Sequence, residues 1–166
     1  MNGPHKVWKL GADVDTDQLA PGAYMKLGLP EIAAHCLEGV RPEFAAGVLP
    51  GDVIAAGANF GIGSSREQAA GALVQLGVKA VIAPSYSGLF FRNAFNLGLL
   101  LLTCRQAPVL EEGESVNLDL STRAVVRANG QRLDCEPIPD FLLAMVQAGG
   151  LLPQLKARLR RQEVSA

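Results

Sequence analysis

Ten consecutive residues, Gly61-Ile62-Gly63-Ser64-Ser65-Arg66-Glu67-Gln68-Ala69-Ala70, bring two hydroxyls, one guanidinium and two glycines together. An apolar run, Val53 to Ala56, precedes them, and apolar residues at helical spacing follow from Ala69 to Leu76 until Gly77. The pattern predicts a strand-to-helix junction with Ser64 and Ser65 near the helix N-terminus. Unpaired backbone N–H groups and the positive end of the helix dipole there favour negative charge, on a bound carboxylate or an ionising hydroxyl. A second account uses the same residues: Ser64 with Glu67 three positions on has the spacing of a capping box. A cap, however, requires neither the glycines at 57, 61 and 63, which allow close approach or positive φ, nor an arginine shaped to hold a carboxylate with two parallel bonds.

The elements that must position this motif follow from local pattern. Val7 to Leu10 reads as a short strand, and Gly11 to Gln18 as an acceptor-rich loop carrying Asp13, Asp15 and Asp17. Pro30 to Leu37 reads as a helix with proline in its first turn and Gly39 closing it. After the motif come a strand at 79–83, a helix at 87–96 with Leu89, Phe90 and Phe91 toward the core, and a strand at 99–103. Strand, helix, strand, helix, strand over residues 53–103 predicts an α/β fold with a parallel sheet covered by helices. Residues 115–120 and 124–127 alternate polar with apolar across Ser121-Thr122, as an antiparallel hairpin does. A helix at 141–147 and an amphipathic, basic tail at 151–161 complete the chain, read as one domain over 1–166 with residues 151–166 a helical tail.

Composition excludes several functions. Fifteen basic against 16 acidic residues give a formal net charge of −1, which offers no field for nucleic acid or an anionic membrane. The longest apolar run, 97–103, falls far short of the roughly 20 residues that span a bilayer. The segment from Met1 to Lys6 has no apolar stretch of signal-peptide type, so a cytoplasmic location is expected. Cys36, Cys104 and Cys135 lie far apart and read as small buried hydrophobes, and His5 and His35 have no ligand spacing, so no metal site is expected in this chain. The motif itself fails as a dinucleotide fingerprint, where Arg66 stands in place of the third glycine, and as a P-loop, where Ser64 stands in place of lysine. It also fails as a nucleophile elbow, because Glu67 replaces the final glycine. Asp13-Val14-Asp15-Thr16-Asp17 lacks the glycine and glutamate of a calcium loop, and Asp13 is read as a solvated turn residue.

Three segments together, Asp15-Thr16-Asp17-Gln18, Gly57 to Ala69 and Phe91-Arg92-Asn93-Ala94-Phe95-Asn96-Leu97-Gly98, resemble the isopropylmalate isomerase (3-isopropylmalate dehydratase) small-subunit family of the aconitase superfamily, close to homoaconitase small subunits. The resemblance covers nearly the whole chain and implies a swivelling β/β/α domain with a mostly parallel core sheet flanked by helices. It implies a hydro-lyase of leucine, hence branched-chain amino acid, biosynthesis, active only with a large subunit that carries a [4Fe-4S] cluster, as a heterodimer or heterotetramer. This chain itself would bind no cofactor. By motif position Ser64 is expected to be the base and Asp17 to manage the hydroxyl proton, while Ser65 and Arg66 bind carboxylate oxygens of a malate-type dicarboxylate or tricarboxylate. Tyr24-Met25-Lys26-Leu27 corresponds to the loop facing the variable part of the substrate. Met25 and Leu27 suit a branched alkyl group, and Gly28 stands nearest to where citrate-type aconitases carry a carboxylate-binding arginine. Lys26 either faces solvent or holds the extra carboxylate of homoaconitate. Isopropylmalate is therefore the first expectation, homoaconitate the second, then dimethylmalate or citramalate. A non-catalytic, anion-binding regulatory subunit is the alternative of a different class.

Overall fold

A computed structural model of the chain describes residues 3–166. Met1 and Asn2, part of the segment read above for a leader, lie outside the described residues. Four strands, β1 (His5–Lys9), β2 (Val53–Ala55), β3 (Ala80–Ala83) and β4 (Leu100–Thr103), run parallel. Three more, β5 (Ser115–Asp119), β6 (Ala124–Arg127) and β7 (Arg132–Asp134), continue the same sheet antiparallel. The order across the sheet is β4-β3-β2-β1-β5-β6-β7. β1 is thus the strand where parallel pairing gives way to antiparallel.

Burial explains the two halves. Every residue of β2 and β3 is buried, as expected of parallel strands covered on both faces, so these strands read as continuous apolar runs. In the antiparallel half burial is partial: Val116, Ala124, Val125 and Leu133 are enclosed while the other positions are half-buried or exposed. The parallel strands are joined by α4 (Glu67–Gln75) and α5 (Gly88–Asn96). Phe44, Phe60, Phe90 and Phe95 are the largest fully buried side chains, each contributing about 2–3 kcal/mol of apolar burial. Between β1 and β2 the chain forms α1 (Thr16–Leu19), a 3-10 turn at Gly22–Tyr24, α2 (Leu29–Ala34) and α3 (Phe44–Gly47). The C-terminal helices are α6 (Asp140–Ala148) and α7 (Leu151–Ser165). No described helix is long and apolar enough to cross a membrane.

The α/β architecture with a largely parallel core agrees with the pattern in the sequence, and four local readings are corrected. The stretch around Asp15 to Gln18 is not all loop: Asp15 caps α1, accepting the Gln18 N–H at 2.8 Å, while the Gln18 side chain accepts the Asp15 N–H at 3.0 Å. The capping box is therefore here and not at Ser64. α4 begins only at Glu67, with Arg66 as its N-cap residue and no side-chain cap. Leu89 is 49% exposed, so only Phe90 of that group is fully enclosed and Phe91 is half-buried. α2 stops at Ala34, with His35 leaving helical geometry as its C-cap at φ −107°, and Leu37 at φ 61° ends any continuation to that residue. Cys36 and Cys104 are buried and Cys135 half-buried.

Candidate active site

The site is built where β1 and β2 run out. Their parallel pairing continues past the strand ends through five main-chain bonds: Leu10 N–H to Ala55 O, Gly57 N–H to Gly11 O, Asp13 N–H to Ala58 O, Gly61 N–H to Val14 O and Thr16 N–H to Ile62 O, all of 2.7–3.0 Å. Register slips by one residue between Lys9↔Ala55 and Asp15↔Ile62. The extra residue is taken up near Asn59, which sits at φ 61° and donates from its side chain to Asp13 at 3.0 Å. Slips of this kind re-aim side chains beside functional sites. The carboxyl ends of parallel strands are also where α/β sheets hold ligands.

Two glycines make this lacing possible. Gly61 has φ 80°, and a Cβ there would run into Phe90. A Cβ at Gly57 would come within 2.8 Å of Ala12, whose backbone lies against it. Both positions therefore demand the absence of a side chain.

The lacing puts α1 beside the start of α4, and four pairs of groups meet. Arg66 Nη1 donates to Asp17 Oδ1 at 2.7 Å and to the Ala20 carbonyl at 2.9 Å. Asp17 Oδ1 also accepts the Gly22 N–H at 3.0 Å. Ser64 Oγ lies 3.4 Å from Thr16 Oγ1, the latter on a buried residue. The Arg66 bond, then the Gly22 N–H, hold the Asp17 carboxyl below its ordinary value, so it is a carboxylate at neutral pH. Ser64 and Ser65 are exposed. α4 has no side-chain cap, and the positive end of its dipole lies at Ser65–Arg66, where it adds positive potential. The arrangement can take a carboxylate on Arg66 and the helix start while a hydroxyl and a carboxylate stand by for proton transfer.

Tyr24, Met25, Lys26 and Leu27 take no part in these four contacts. Tyr24 stacks on His35 with ring centroids 3.6 Å apart and planes 9° from parallel. Met25 packs on the core, Lys26 is exposed, and Leu27 is 50% exposed in a groove shared with Glu67, Gln68 and Gly71. Sequence reasoning missed Thr16, the Gly22 N–H, the Ala20 carbonyl and His35. Thr16 sits inside the Asp15-Thr16-Asp17 motif and was within reach of that reading; the backbone groups carry no side-chain signal at all. Among the described residues no three His, Cys, Asp or Glu side chains converge to hold a metal ion. Burial alone pushes the Cys36 thiol up to about 12, away from the thiolate a metal needs.

Residues 51–107, which carry the glycine-serine-arginine motif, match the family described as the aconitase C-terminal domain. That defines the class. The chain is 42% identical over 158 residues to the 3-isopropylmalate dehydratase small subunit 1 of Archaeoglobus fulgidus, covering 94% of this chain and 98% of that protein. It is also 42% identical over 149 residues to the methanogen homoaconitase small subunit of Methanothermobacter thermautotrophicus, covering 89% of this chain and 86% of that one. A crystal structure of 3-isopropylmalate dehydratase from Methanocaldococcus jannaschii matches with a TM-score of 0.93 and 39% identity over the whole of both chains. The chain belongs to the 3-isopropylmalate dehydratase small-subunit family of the aconitase superfamily.

Proposed function

We propose that this chain is the small subunit of a cytoplasmic heteromeric hydro-lyase that interconverts 2-isopropylmalate and 3-isopropylmalate by dehydration and rehydration, in leucine biosynthesis. The observation that carries the reading is the junction of Asp17, Arg66, Thr16 and Ser64 at the ends of β1 and β2, in a chain 42% identical to a named small subunit. In this reading Ser64 removes the proton next to a substrate carboxylate. A serine hydroxyl is a weak acid, so its ionised form requires donors fixed in advance. The Thr16 hydroxyl and the uncapped start of α4 are placed to serve. Arg66 spends Nη1 on Asp17 and Ala20 and binds a substrate carboxylate with its remaining donors, assisted by Ser65. Asp17, ionised at neutral pH, accepts and returns the proton of the migrating hydroxyl.

Activation of the departing hydroxyl in this chemistry belongs to a [4Fe-4S] cluster, and among the described residues no grouped cysteines or other ligands fit it. The cluster therefore resides on a large subunit, with which this chain forms a heterodimer or heterotetramer. Half a site on an exposed surface, with Ser64 and Ser65 open to solvent, suits that division of labour.

A second reading, the small subunit of a homoaconitase, is favoured by the methanogen relative and by the exposed Lys26 in the substrate-facing loop. Reconstitution with a cluster-bearing large subunit, following the absorbance of the alkene intermediate, separates the two. Turnover of isopropylmalate in preference to homoaconitate supports the first reading; the reverse preference supports the second. A complex that binds malate-type acids and turns over neither would establish a regulatory subunit instead.

A further inference from the structure

The Tyr24 ring is held by residues that the reaction itself does not use. His35 caps the C-terminal end of α2, and its Nδ1–H donates to Glu38 Oε2 at 2.6 Å. Hydrogen bonds from His35 and then Tyr24 hold the Glu38 carboxyl below the ordinary value, and the same carboxylate raises the Tyr24 phenol. The geometry that brings Glu38 back toward His35 is bought with strain: Leu37, fully buried, lies at φ 61°, a conformation that costs a side-chain-bearing residue about 1–3 kcal/mol. In return the Leu37 N–H reaches the Gln18 carbonyl at 2.8 Å. Gln18 adjoins Asp17, so the stack on Tyr24 and the ion pair to Arg66 are referred to one frame, the short helix α1. Downstream of Tyr24 the turn is closed by the Met25 N–H to Gly22 O at 3.3 Å and the Leu27 N–H to Tyr24 O at 2.9 Å. Fixing the Tyr24 ring therefore fixes where Met25, Lys26 and Leu27 point.

We propose that His35 and Glu38 are positioning residues for substrate discrimination, holding Tyr24 so that the Met25–Leu27 turn keeps one geometry toward the variable part of the substrate. This rests on the proposed function and on the expectation, implied by the family resemblance, that the Tyr24–Leu27 turn faces the variable part of the substrate. Neither residue touches the reacting atoms, so their loss alters recognition ahead of chemistry.

The test compares His35→Ala, His35→Phe and Glu38→Gln with the unaltered chain. In the complex with its large subunit, kcat and KM are measured for isopropylmalate and homoaconitate. His35→Ala is expected to raise KM for the preferred acid roughly tenfold with kcat little changed, less than the roughly hundredfold that a full 1 Å misplacement of reacting groups can cost. The preference between the two acids narrows. His35→Phe keeps a flat ring against Tyr24 and restores most of the preference. Glu38→Gln, at a half-exposed site that folding tolerates, gives an intermediate loss. In the isolated chain, amide hydrogen exchange at Met25 and Leu27 speeds up in His35→Ala and recovers in His35→Phe. Unchanged exchange, or a fall in kcat alone with the preference intact, overturns the proposal. If the unaltered complex turned over neither acid, the functional reading would fall, and the anchor itself would still be decided by the exchange rates.

Discussion

Arg66 Nη1 donates to Asp17 Oδ1 at 2.7 Å across 49 positions of sequence, joining the N-cap residue of α4 to the first turn of α1. The side chains differ in exposure, 27% for Arg66 and 67% for Asp17. The guanidinium is thus steadied from one side by Asp17 and the Ala20 carbonyl while the pair still meets solvent.

The pairing has a pH signature. The folded pKa of Asp17 is depressed below its ordinary 3.8, so whatever stability the pair contributes is present above 3.8 and lost as pH falls through the lower folded value. Because the pair is largely solvated, that contribution is under about 1 kcal/mol. Carboxyl NMR is expected to place the Asp17 midpoint below 3.8, and Arg66→Ala to move it upward.

Ser64→Ala separates the two uses first considered for that serine. With no cap at Ser64, removal of its exposed hydroxyl is expected to change stability by less than about 0.5 kcal/mol, the range of ordinary surface substitutions. Turnover of the reconstituted complex is expected to drop at least roughly a hundredfold, the usual worth of a general base. Thermal melts and steady-state rates read the two effects separately, and retained turnover removes Ser64 from the base role.

Arg66→Lys keeps the charge and loses the planar fork. Replacing one charge-assisted bond to substrate by a point charge is expected to cost about 2 kcal/mol, or about thirtyfold in kcat/KM. The melting temperature should hardly move. A full-strength lysine variant would mean that the fork is not what the substrate meets.

Gly61→Ala tests the scaffold. The new methyl enters at φ 80° and meets Phe90, so strain and overpacking add. A loss of about 2–4 kcal/mol is expected in denaturant unfolding. Substitution at Gly3, with nothing within 4 Å, serves as the neutral comparison.

Much of the framework was legible because it is local. Apolar runs at 53–55, 80–83 and 100–103, separated by helical spacing, state a parallel sheet, and the alternation around Ser121 states a hairpin. β7 escaped because three residues with one apolar side chain, Leu133, carry no period. The capping box was sought at Ser64 because Ser and Glu had the spacing there, while Asp15 and Gln18 offered the same spacing in a stretch with too few apolar residues to suggest a helix. For the site, residue types pointed to an anion-binding stretch at Ser64, Ser65 and Arg66, while Asp17 and the proposed roles entered through the family resemblance. What the chain could not disclose locally were partners supplied by topology. Thr16 meets Ser64 only because β1 lies beside β2, and His35 meets Tyr24 only because the end of α2 is brought against the turn at Gly22–Tyr24.

The main-chain lacing beyond β1 and β2 also bears on how the proposed site would move. Five backbone bonds and the Asn59 to Asp13 contact tie the loop before α1 to the loop before α4. In the proposed complex the two segments are therefore expected to travel as one jaw, carried by the sheet and not by hinges of their own. An Asp17 to Arg66 spacing unchanged by substrate is the corresponding expectation.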